Sequence, residues 1–112
     1  MIEKVILDYL TTSLSVPVYM EQPDDQTREF VLIQLIGASK TDRLRTSTLQ
    51  FTVFGASMYR AAFLCDQLTQ VMDAAPEHLD SISRSHYGGS YNATFTADKT
   101  YRYRATYELT HY

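Results

Sequence analysis

The side chains able to carry chemistry are few, and their spacing does not gather them. His78, His86 and His111 share no two-ligand spacing with a second His, Cys or carboxylate on one element, and a metal site needs three or four such groups. The neighbouring acids Asp24 and Asp25 fall in a turn-rich stretch, and Glu77 to Asp80 follow a helix end, both places where carboxylates are ordinarily solvated. The one cysteine, Cys65, falls at an apolar position of a helical pattern and reads as a small buried hydrophobe. Gly88 and Gly89 lie between strand patterns rather than between a strand and a helix, so they mark a turn or bulge and not a phosphate loop. No nucleophile elbow is present, and the sequon Asn92-Ala93-Thr94 has meaning only in a secreted chain. These readings predict no cofactor, no metal, no small-molecule substrate and no enzymatic activity.

Tyrosine rises above background. Nine of the 112 residues are tyrosine, and Tyr87, Tyr91, Tyr101, Tyr103, Tyr107 and Tyr112 crowd the last quarter. An apolar ring with a polar tip suits a partly wet interface, and equally suits a core beneath helices. Arg43, Arg45, Arg102 and Arg104 read either as an interfacial or lumen-facing set or as a solvated strand face.

The positioning elements follow from periodicity. Ile2, Val5, Ile6, Tyr9, Leu10 and Leu14 fall on one stripe of a helix, which Thr11 to Ser13 and Pro17 bring to an end near Ser13. A short strand over Val16 to Glu21 and a polar turn cluster over Pro23 to Thr27 come next. Phe30 to Ile36, FVLIQLI, reads as a central strand with two apolar faces, Val31, Ile33 and Leu35 against Phe30, Leu32 and Ile36. The polar run Gly37 to Thr46 reads as a connection of about ten residues, long for a hairpin and therefore a candidate for function. Leu49, Phe51 and Val53 alternate with polar neighbours in a half-buried strand.

Ser57 can cap a second helix with Ala61, Leu64, Cys65, Leu68, Val71, Met72 and Ala75 on one stripe, ending at Pro76. Brief strands over Ile82 to His86 and Ser90 to Thr96, a turn at Ala97 to Lys99 and a long alternating strand to Thr110 complete the chain. The sum is a single α+β domain over residues 1–112, with a mostly antiparallel sheet of about five or six strands and two helices packed on one face. A net charge of −3 gives no general attraction to phosphate backbones, and no apolar run reaches the ~20 residues a bilayer requires. Glu3 and Asp8 within the opening apolar pattern are unlike a signal peptide, which favours a cytosolic chain.

This order of elements resembles the tail-terminator, or tail-completion, proteins of long-tailed bacteriophages, a family also described as minor capsid or head-tail joining proteins. The resemblance lies in the opening helix, Val16-Pro17-Val18-Tyr19 leading through Glu21 and Pro23 to Phe30-Val31-Leu32-Ile33, the polar connection, the strand Leu49 to Phe54, the helix from Ser57 and the closing hairpin. It implies a virion structural protein assembled in the host cytoplasm, a hexameric ring that stops tail-tube growth, and partners among tail-tube and head or neck proteins. DNA would pass the channel without specific binding. The resemblance assigns no individual residue. From the residues themselves, the candidate assembly contacts are Lys40, Asp42, Arg43 and Arg45 in the polar run, and Arg102, Arg104, Tyr101 and Tyr103 in the last strand. Two other readings stay open, a head-completion or neck adaptor subunit and a small cytosolic dimeric ligand-binding domain.

Overall fold

The computed structural model describes residues 2–21, 29–41, 44–94 and 101–111. The turn cluster expected at 23–27, the turn at 97–99, Asp42, Arg43 and Tyr112 lie outside the described residues. The elements run α1 (Ile2–Ser13), β1 (Val18–Tyr19), β2 (Phe30–Thr41), β3 (Leu44–Gly55), α2 (Met58–Asp73), α3 (Ala75–His78), β4 (Ile82–Asn92) and β5 (Tyr101–His111). The strands form one sheet in the order β1-β2-β3-β5-β4, antiparallel throughout except where β1 pairs parallel to β2. This is the expected α+β class with a mostly antiparallel sheet.

Helix α1 ends at Ser13, as its Thr and Ser run and Pro17 require. Its stripe buries Ile2, Ile6 and Leu10, and full burial of Ile6 and Leu10 stabilises by about 1.5–3 kcal/mol each. Ser57 caps α2, its hydroxyl accepting from the Arg60 N–H at 3.2 Å, and Ala61, Leu64, Cys65, Leu68 and Met72 go into the core. Pro76 does more than end that helix. It sits in the first turn of the short α3, where a missing N–H costs nothing.

Both long helices cover the same face of the sheet. Val31 and Ile33 of β2, Leu49, Phe51 and Val53 of β3, and Ala105, Tyr107 and Leu109 of β5 join the α1 and α2 stripes in one core. The layers meet closely at Gly55, where a Cβ would stand 2.4 Å from the Ala61 nitrogen, so the approach of β3 to α2 requires glycine. Among the described residues, the opposite sheet face carries no helix.

Two sequence expectations are corrected. The run Gly37 to Thr46 is not a ten-residue connection, because β2 and β3 stay paired from Phe30↔Phe54 to Thr41↔Leu44. Its polarity reflects exposure at the sheet end, where Ala38, Ser39, Lys40, Leu44 and Arg45 are all exposed. The second half holds two strands rather than three, since Gly88-Gly89 is an irregularity inside β4 and not a break between strands. Gly89 there has φ +117°, a conformation that glycine adopts without strain.

Candidate functional site

The sheet extends past its helical layer, and that bare end holds part of the expected contact set. An irregularity at Ile36, which has no partner on β3, shifts the register between Leu35↔Leu49 and Gly37↔Thr48. The side-chain alternation is thereby reversed, so Lys40 lies on the helix side of the sheet, as does its cross-strand partner Arg45, which pairs in turn with His111. Both cations are exposed, and among the described residues neither forms an ion pair. Leu35, Ile36 and Leu44 are exposed apolar residues on the same hairpin, with Ile36 at 53%.

Beside this end lies a cavity of about 400 Å3 bordered by Glu3, Leu35, Lys40, Arg45, Ser47 and His111. Ser47 Oγ and His111 Nε2 stand 2.8 Å apart there, and both side chains are buried. The separation is that of a nucleophile and its base. It also ties β3 to β5 by pairing two polar groups that the fold removes from water, as buried polar groups require. The two residues are 64 positions apart, and no sequence pattern links them.

Arg102 and Arg104 occupy the other face, which no helix among the described residues covers and on which Phe30, Thr52 and Phe54 are nevertheless buried. The two arginines lie in rows set by register, Phe30–Phe54–Arg102 and Leu32–Thr52–Arg104–Tyr91. The Phe30 and Phe54 rings stack at 4.3 Å, with Tyr19 edge-on to Phe30 at 5.8 Å. Arg102 Nε donates to the Ala93 carbonyl at 2.8 Å, whereas the buried Arg104 Nε has no hydrogen-bond partner among the described residues. Tyr101 and Tyr103 point to the helix side. The arginines therefore do not form one set: Arg45 and Arg102 sit nine residues apart along β5's register, about 30 Å at strand spacing, and on opposite faces.

A second surface on the helix side was missed in the sequence. A groove of about 590 Å3 runs between α2 and the β4 edge, walled by Tyr59, Phe63, Tyr87 and Tyr103 and bearing the carboxylates of Asp66 and Asp73. Tyr59, Phe63, Asp66 and Asp73 fall at i, i+4, i+7 and i+14, a second stripe beside the core stripe of α2. That spacing was legible, and two exposed aromatic rings on one helix flank were the signal. Tyr59 is 75% exposed, and its ring stacks on Phe63 at 6.3 Å. Asp73 accepts from the Tyr107 hydroxyl at 2.9 Å, and Asp66 is exposed. The nearest cation on the helix, Arg60, is already neutralised by Glu29 at 3.0 Å.

Cys65 also borders this groove, yet burial, helped by the Asp66 charge, pushes its thiol up to about 11, so it stays protonated at neutral pH. Among the described residues no group of three or more His, Cys, Asp or Glu could hold a metal ion, and no helix is long and apolar enough to cross a membrane. Comparison of the sequence with protein-family models and with curated proteins finds no match.

Proposed function

We propose that this chain is a virion assembly subunit of a long-tailed bacteriophage, a tail terminator whose copies close into a ring that ends tail-tube growth and joins tail to head. One observation carries the reading: among the described residues the sheet has two open edges, and one of its faces is covered by no helix. Strand β1 pairs with β2 only at Val31 and Leu32, so among the described residues the outer edge of β2 from Ile33 to Thr41 is unpaired, as is the outer edge of β4. Long open edges invite pairing with further chains, and a closed ring satisfies them without runaway growth. The resemblance in element order supports the same reading. Net acidity suits a channel through which DNA passes without adhering.

The test is assembly itself. Native mass spectrometry should find a closed oligomer, in isolation or after mixing with tail tubes, and the added chain should cap one tube end and halt elongation. A chain that stays monomeric and leaves tubes growing refutes the reading. A head-completion or adaptor subunit would instead bind tail-less capsids and leave tube length unchanged.

A further inference from the structure

We propose that the Lys40/Arg45 pair, on the helix-side face of the β2–β3 hairpin of one copy, docks against the acidic aromatic groove between α2 and β4 of the next copy, giving a head-to-tail contact. The inference rests on the assembly reading above and names its partner surfaces.

Lys40 and Arg45 are direct cross-strand partners on one face, an arrangement of like charges that destabilises a sheet. Glu3 borders the same cavity as both, but among the described residues no carboxylate forms an ion pair with either cation. The groove presents the complement: two carboxylates, Asp66 and Asp73, while the one cation over its wall, Arg60 at 5.3 Å from the Phe63 ring centroid, is paired with Glu29. The exposed rings of Tyr59 and Tyr87 offer surface to the methylene stems and to the cations themselves. A match of two cations with two carboxylates on one chain favours a second copy over an unrelated partner.

The positions of the two surfaces set the symmetry. The hairpin belongs to the β2 side of the sheet and the groove to the β4 edge, with β5 between them. Where the two surfaces are not reciprocated within one pair of copies, the contact is heterologous and passes from copy to copy, ending in a ring when the rotation closes. A pair of cations on one hairpin face is a small contact, so each junction alone is weak and salt-sensitive. Closure, in which every subunit is held at both surfaces, supplies the avidity.

The test is a charge exchange on the full chain, read as the self-association constant by analytical ultracentrifugation at low and high salt. K40E/R45E, and separately D66K/D73N, should each weaken association at least about tenfold at low salt. The D73N change keeps a side-chain oxygen to accept from Tyr107. The combined variant K40E/R45E/D66K/D73N should restore association, which a variant that merely misfolds cannot do. Circular dichroism and thermal melting establish that each variant is folded. If the wild-type chain associates and the single-surface variants associate equally well, the docking proposal is overturned while the ring reading stands. If the combined variant is folded and does not recover, it is overturned likewise. If the reversed hairpin loses retention on DNA and keeps its association constant, those cations serve nucleic acid instead. A wild-type chain that neither associates nor caps tail tubes overturns both readings.

Discussion

The Tyr107 hydroxyl, carried into the core on β5, reaches across to α2 and donates to Asp73 Oδ1 at 2.9 Å, with the Thr69 carbonyl at 3.1 Å. Its ring is fully buried and edge-on to Phe51, at 6.2 Å between centroids. One side chain thus links the core to the wall of the groove.

Burial first, and then the bond and charge of Asp73, hold the Tyr107 hydroxyl well above the ordinary tyrosine range. A group whose neutral form is favoured by folding contributes stability in full below its unfolded value near 10, and loses it as pH rises through the folded value. Tyr107→Phe should cost about 1–2 kcal/mol in urea unfolding at pH 7. In an ultraviolet titration, one tyrosine should remain protonated until the protein unfolds. A full phenolate signal from the folded chain would contradict this assignment.

Glu29 joins the start of β2 to the first turn of α2. Its two oxygens accept from Arg60 Nε and Nη2, each at 3.0 Å, and Oε2 also accepts from the Ala56 N–H at 3.2 Å. The Arg60 bond lowers the Glu29 carboxyl below its usual value of 4.5. The stability it contributes is present above that value and is lost as pH falls through the lower, folded one. Glu29→Gln should lower the melting temperature by a few degrees at pH 7. That difference should vanish in strong acid, so equal melting of the two proteins at pH 7 would count against the pair.

Gly55→Ala places a methyl against the Ala61 backbone, which cannot yield as a flexible side chain would. Strand β3 and helix α2 must separate, at a cost of about 1–3 kcal/mol. The denaturant midpoint should fall accordingly, and Gly37→Ala, whose nearest neighbour would be at 3.7 Å, serves as the control.

Cys65, buried and held at about 11, should react with an aromatic disulfide reagent at pH 7.5 only as fast as the chain opens. Adding urea should accelerate the reaction in step with unfolding. Fast labelling under native conditions would mean that the α2 stripe does not pack as described.

The helices, their shared face and the α+β class were legible in the chain. Local spacing alone places Ile6 and Leu10 on one stripe, Leu64, Leu68 and Met72 on another, and Tyr107 and Leu109 on one strand face, because period and burial are coupled within each element. Composition misled at Gly37 to Thr46, where polar residues signal exposure and a strand at a bare sheet end is as polar as a loop. Only the tertiary structure decided which residues meet. One unpaired residue, Ile36, reverses the alternation and sends Lys40 to the side of Arg45, and a one-residue shift leaves no mark in composition. The register of β3 against β5 brings Ser47 to His111, and the packing of α2 over β4 opens the groove at Asp66. Each depends on pairing between segments far apart in sequence, which the closing of the whole sheet determines and no local pattern encodes.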